Sequence, residues 1–258
     1  MSLGALGVVT HVHLDVEPLY EVAQTVFEGV TWDAALADLD ALTGAGDSVS
    51  LFCSWQDPAR VDQVWVKSRS SRPAPDLSAF GGRPADGPRH PVADMDPEPC
   101  TTQGGVPGPW YERMPHFSLD HTPSVGEEIQ SEYLLPRADA AAAVEALQGL
   151  AERFSSLLFV GELRTVAEDA LWLSPAYGTP TVGVHFTWRA VPDAVRTLLP
   201  TIEAALPETA RPHWAKVATM APDAIRARYE RWDDFAALRT RFDPERRFVN
   251  PHLARFGL

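Results

Sequence analysis

Cysteine is almost absent: Cys53 and Cys100 are the only two among 258 residues. Two thiols so far apart build neither a disulfide framework nor a zinc-type ligand set, and a reducing cytoplasm is the simplest compartment for them. Positive charge is scarce as well. Lys and Arg number 22 against 35 Asp and Glu, a formal net charge of -13, which argues against a nucleic-acid partner because binding phosphate needs cations. No apolar run approaches the about 20 residues that cross a bilayer, and the start lacks the charged and apolar regions of a signal peptide. What is present is ordinary for a globular protein: 45% hydrophobic and 22% charged residues, enough for one large domain or two small ones.

Proline is the exception. Of 23 prolines, nine lie between Pro73 and Pro109. Proline fixes φ and removes a donor, so residues 68–110 read as an irregular surface excursion, packed against a neighbouring domain or closing over a ligand. Elsewhere the periodicity is clear. Gly7 to Glu17 alternates Val8, Thr10, Val12, Leu14 and Val16 against His11, His13 and Asp15, the pattern of a half-buried strand. His11 and His13 have no third ligand nearby and read as exposed strand histidines rather than a metal site. Further strands are expected over Leu19–Val30, Ser48–Trp55, Val61–Lys67, Glu127–Leu135, Leu157–Val166 and Thr181–Trp188. Helical stripes run through Trp32, Leu36, Leu39 and Leu42 behind a Thr31 cap, and through Asp139–Phe154. Two more follow, one opened by Pro192 and one spanning Asp223–Arg241. The sum is an α+β fold, an antiparallel sheet flanked by helices, with a C-terminal helical segment.

Chemistry-bearing residues fall on two of these strands. Residues two apart share a strand face, so Glu162 stands beside Arg164, and His185 beside Thr187. A carboxylate, a guanidinium, an imidazole and a hydroxyl on one patch of sheet would suit a small ligand with several hydroxyls. Spacing alone favours the plainer alternative, a surface ion pair worth about 0–1 kcal/mol. By the same standard Trp172, Trp188 and Trp214 read as core, Lys216 as a solvated lysine, His213 as a buried histidine bonded to a carbonyl, and Tyr177-Gly178-Thr179-Pro180 as a turn.

Five motifs taken together go further. Gly4-Ala5-Leu6-Gly7-Val8-Val9-Thr10, Gly161-Glu162-Leu163-Arg164, His185-Phe186-Thr187-Trp188, Arg211-Pro212-His213-Trp214-Ala215-Lys216 and Asp243-Pro244 with Phe248-Val249-Asn250 occur in that order. In this the chain resembles the aldonolactone/alditol oxidases, which include xylitol oxidases and D-arabinono-1,4-lactone oxidases and belong to the vanillyl-alcohol-oxidase class of flavoproteins. The resemblance covers nearly the whole chain and is weakest in the proline-rich stretch.

The resemblance implies an FAD-dependent oxidation of a sugar alcohol or aldonolactone with O2 as acceptor. It implies that residues 1–18 are the last strand of an N-terminal FAD-binding domain that this chain does not contain. Residues 19–216 would be the substrate (cap) domain, and 217–258 a segment packed on the FAD domain. Glu162, Arg164 and Lys216 would be catalytic; these three with His185 and Thr187 would bind the polyol; Val9 and His213 would touch the flavin. Alanine stands at 215 where the family's His-Trp-Gly-Lys motif has glycine. A chain lacking its cofactor domain would bare a face near Val8, Trp214, Trp232 and Phe248, inviting self-association. The alternative is a catalytically silent domain that binds a polyol or a partner without flavin.

Overall fold

In the computed structural model, which describes residues 1–121 and 127–258, extended runs pair into one antiparallel sheet. In chain order the elements are β1 (Glu21–Glu28), α1 (Trp32–Ala37), α2 (Leu39–Thr43), β2 (Ser48–Cys53), β3 (Gln63–Arg69), β4 (Arg83–Pro84) and β5 (Gly108–Pro109). There follow β6 (Glu128–Pro136), α3 (Ala140–Phe154), β7 (Leu158–Val166), β8 (Thr181–Arg189), α4 (Pro192–Ala205), β9 (Arg211–Pro212), α5 (Pro222–Arg226), α6 (Trp232–Phe242) and α7 (Pro251–Arg255). The spatial order is β4-β1-β3-β2-β7-β8-β6-β9, with β5 also on β1.

Side-chain alternation gives this sheet two unlike faces. On one, Val49, Leu51, Val64, Val66, Leu163, Val184, Phe186 and Trp188 meet Val144, Leu147, Ala151 and Phe154 of α3 and Val195, Leu199 and Ile202 of α4. Each such side chain, fully buried, contributes roughly 1.5–3 kcal/mol. The other face carries Phe52, Trp65 and Val160 together with buried Lys67, Glu132, Glu162 and His185. Residues 70–121 lie over part of it. The side-chain amide of buried Gln24 donates to the Thr101 carbonyl, and Gln63 to the His90 carbonyl, so the proline-rich stretch is fastened to its own sheet. A separate apolar cluster joins Ala5 and Leu173 to Ile225, Tyr229, Trp232, Phe235, Leu253 and Phe256.

Several expectations are corrected. Residues 7–17 form no strand: Val8, Val12, Leu14 and Val16 are 65–93% exposed, because no strand edge lies alongside to take their backbone groups. The helix begun at Thr31, whose Oγ1 accepts from the Ala34 amide at 3.2 Å, breaks at Asp38. Asp38 leaves the helical region and its carboxylate caps α2 through the Ala41 amide at 2.9 Å. The helix expected over 223–241 is two, α5 and α6, whose shared stripe still faces one cluster. Among residues expected on a bared face, Trp232 is buried and Trp214 partly buried, ringed by Tyr229, Trp232 and Phe256. Val8 and Phe248 are exposed. α7 starts where the Asn250 side chain accepts from the Leu253 amide, with Pro251 opening the helix.

Candidate functional site

Strand register builds the site. In the antiparallel trio β6–β8–β7, Glu132 pairs with His185, and His185 with Glu162. Three ionisable side chains therefore stand in one line across the sheet. β9 adds a fourth by zipping along β6: the His213 amide donates to the Glu132 carbonyl and the Val217 amide to the Gln130 carbonyl. Between these two anchors a turn delivers Lys216, whose Nζ lies 2.8 Å from Glu132 Oε2. Alanine at 215 is accommodated without a left-handed backbone, and its amide donates to His213 Nδ1 at 3.2 Å.

Glu132 is the hub. It is 2% exposed, and an isolated carboxylate so placed would be costly. Burial pushes its carboxyl up, but the Arg164 and Lys216 cations beside it outweigh this and hold it well below the usual carboxylate range. Arg164 donates to Glu132 Oε1 at 2.9 Å and stands 3.5 Å from Glu162 Oε2. That span crosses Gly183 of β8, where an added Cβ would sit 3.1 Å from Glu132 Oε1. Bare backbone lets carboxylate and guanidinium meet over the intervening strand.

A second chain of contacts runs the other way. Lys216 Nζ is 2.8 Å from His185 Nδ1, and His185 Nε2 is 3.1 Å from Thr187 Oγ1. An ammonium has only donors, so Nδ1 accepts and the ring proton sits on Nε2, pointing at Thr187. Thr187, accepting there, keeps its own O–H to donate.

The structure thus brings Glu162, Arg164, His185, Thr187 and Lys216 into one network. They do not all face the same space. Glu162, His185 and Thr187 line a cavity of about 380 Å³, closed on its far side by His90, Val92, His116 and Phe117 from the proline-rich stretch. Arg164 and Lys216 do not line it but hold Glu132 beside it, and Lys216 also borders an adjoining open cleft with Gln130, Trp214, Val217 and Asn250. Glu162 is buried, and among the described residues its Oε1 makes no hydrogen bond, the nearest donor being His116 Nε2 at 3.4 Å. Burial raises its carboxyl, while His116, Arg164 and Ser50 more than offset this and bring it to about 2. Val9 borders neither space and is 75% exposed. His213 lines a small recess with Trp214, Lys216 and His252, its ring accepting from an amide rather than donating to a carbonyl.

Sequence reasoning missed Glu132, Gln130, Lys67 and His116. Glu128, Gln130 and Glu132 recur at period two in the strand that was recognised, a polar face that could have been read. His116 comes from irregular chain, where no periodicity exists to be read.

A family model described as D-arabinono-1,4-lactone oxidase matches residues 125–256, just over half of the chain. The chain belongs to the D-arabinono-1,4-lactone oxidase family. An alditol oxidase of a Streptomyces species is 46% identical over 98% of this chain and 60% of its own length. An L-gulono-1,4-lactone dehydrogenase of Mycobacterium tuberculosis is 26% identical over 99% of this chain and 62% of its own. The chain therefore spans about three-fifths of these relatives. In fold it is similar to a glucooligosaccharide oxidase of Acremonium strictum, with a TM-score of 0.54 and 13% identity over 88% of this chain and 53% of that one.

Members of this lactone oxidase family are flavoproteins. The donors around the open cleft, the Lys216 ammonium and the Gln130 and Asn250 amides, suit the electron-rich edge of a flavin ring, and the indole of Trp214 gives an apolar wall. The rest of the group fits less well. Among the described residues no glycine-rich turn opens a long helix to cradle a pyrophosphate, since α3 and α4 follow Asp139 and Val191. This chain thus fits the ring edge and not the whole cofactor.

Proposed function

We propose that the chain is the substrate-binding portion of an FAD-dependent oxidase that oxidises a carbinol of a sugar alcohol or aldonolactone with O2 as acceptor. On this reading residues 19–216 are its substrate domain, and residues 217–258 pack against a flavin-binding domain. The observation that carries it is the orphaned Glu162 Oε1 in the same cavity as the Thr187 hydroxyl. Among the described residues the first accepts no hydrogen bond, His116 Nε2 standing 3.4 Å away, and the second accepts from His185 and donates to none. Neighbouring hydroxyls of a polyol complete both, which an apolar or purely anionic ligand does not.

A flavin supplies the hydride acceptor, which oxygen then regenerates. The chain's own part is to hold the carbinol. Glu162, at about 2, is too weak a base to take a hydroxyl proton at neutral pH, so it orients the substrate as a hydrogen-bond acceptor. Arg164 fixes the Glu162 and Glu132 carboxylates with a planar fork. Lys216 fixes His185, which presents Thr187. Such positioning is where most of the gain from these residues lies.

The test adds the FAD-loaded flavin-binding part of an alditol oxidase to the protein and measures peroxide formed from xylitol and from D-arabinono-1,4-lactone. Peroxide with either one supports the reading. A complex of the two that holds FAD and oxidises neither would end it. A second reading, a polyol-binding domain without chemistry of its own, draws support from the partial fit to the cofactor. A pure protein that is colourless, retains no added flavin and still binds xylitol would favour it.

A further inference from the structure

Beside the floor of the cavity, on the same sheet face, Lys67 pairs with a histidine from the overlying chain, and the network above uses neither as a ligand group. Lys67, on β3, is 1% exposed, far more buried than lysine ordinarily is. Its Nζ donates to the Met114 carbonyl at 2.6 Å and lies 3.0 Å from His116 Nδ1. The imidazole of His116 is clamped edge-on between Phe52 and Trp65, with centroids 5.4 and 5.5 Å away. The His116 carbonyl is pinned by the Thr101 amide at 3.0 Å. This ring cannot turn without losing contacts on three sides. Its other nitrogen, Nε2, stands 3.4 Å from Glu162 Oε1, yet that oxygen is left without a hydrogen bond.

We propose that His116 is a substrate-binding residue, that Lys67 is the positioning residue setting its tautomer, and that a polyol hydroxyl is held between His116 Nε2 and Glu162 Oε1. The Lys67 ammonium can only donate, so His116 Nδ1 accepts and the ring proton resides on Nε2. A hydroxyl can accept from a ring N–H while donating to a carboxylate. The arrangement repeats that of Lys216, His185 and Thr187 on the opposite side of the cavity, so two lysine-set imidazoles grip the ligand from two walls. Burial lowers Lys67 to about 7, so the ammonium that sets this tautomer is the dominant form below that pH, and burial also lowers His116, which favours the neutral imidazole. The consequence for specificity is a wall that favours a neutral hydroxyl and disfavours a carboxylate, which would face Glu162 directly.

This inference rests on the polyol reading, and its test separates the two. The chain is labelled with 15N-histidine, the protonated nitrogen of His116 is identified by NMR, and xylitol is titrated by calorimetry and NMR. The wild type is expected to show Nε2–H, with a resonance that moves when xylitol is added. Lys67→Met should shift His116 toward Nδ1–H, and Lys67→Gln, which keeps a donor, should retain Nε2–H. His116→Phe should weaken xylitol binding about tenfold, and His116→Gln, whose amide can still donate, should recover most of it. A wild-type ring protonated on Nδ1, or a folded His116→Phe that binds xylitol like the wild type, overturns this proposal alone. A wild-type chain that binds neither xylitol nor D-arabinono-1,4-lactone overturns the polyol reading and this proposal with it.

Discussion

The two faces of the sheet solve opposite problems with the same strands. Toward α3 and α4 the face is apolar, and Phe154, Phe186 and Trp188 interlock with centroids 4.9–6.1 Å apart. Toward the proline-rich stretch it buries Lys67, Glu132, Glu162 and His185. An apolar face gains stability from each residue independently. A polar face is stable only as a whole, because each buried charge is tolerable while its partner is present. The first face explains why the chain folds. The second is costly for folding, and the proposed polyol site would account for its presence.

Breaking this contrast is the purpose of the following substitutions. Phe154→Ala should cost about 3–5 kcal/mol, the sum of lost burial and a residual cavity, with xylitol affinity of the remaining folded protein unchanged. Denaturant unfolding checks the first part and calorimetry the second. Lys216→Met should be as damaging to stability, about 3–5 kcal/mol, since it strips a partner from buried Glu132, and it should also abolish xylitol oxidation once a flavin-binding part is supplied. If Lys216→Met unfolds like the wild type, Glu132 is not the hub described here. Gly183→Val should cost about 1–3 kcal/mol by wedging Glu132 from Arg164, whereas a volume change of that kind on an exposed strand position would be nearly silent. A melting temperature unaltered by Gly183→Val would mean that the two side chains reach each other by another route.

A different kind of effect is expected from pH. Glu132 and Glu162 are both held below their ordinary value of 4.5, Glu162 at about 2. A carboxyl depressed in the folded state binds fewer protons than in the unfolded one, so its contribution is fully present above about pH 4.5. That contribution is lost as pH falls toward 2. Thermal melts between pH 5 and pH 2 should therefore show a steep decline that Glu162→Gln flattens. Identical slopes for the two proteins would place the acid sensitivity elsewhere.

The apolar face was legible in the sequence, and the polar one only in part. Val144, Leu147, Ala151 and Phe154 announce a buried helix stripe because each acts alone and repeats at a fixed period. Glu162 with Arg164, and His185 with Thr187, were visible as pairs within single strands. Their convergence depends on the Glu132–His185–Glu162 register, which pairing across three strands sets and no local pattern encodes. Residues 7–17 show the opposite failure. Their alternation is that of a strand, and alternation states a capacity to pair without providing the edge to pair with. Asp38 shows a third kind: a helix-period stripe that continues while a capping carboxylate divides the helix beneath it.

The account stands on Glu162 Oε1 being the acceptor for a polyol hydroxyl. Calorimetric titration of xylitol into the wild type and into Glu162→Gln, with melting temperatures recorded for both, measures this directly. Exchange of the carboxylate for an amide should weaken binding about tenfold while the fold persists. Equal affinity in the two folded proteins would contradict the account.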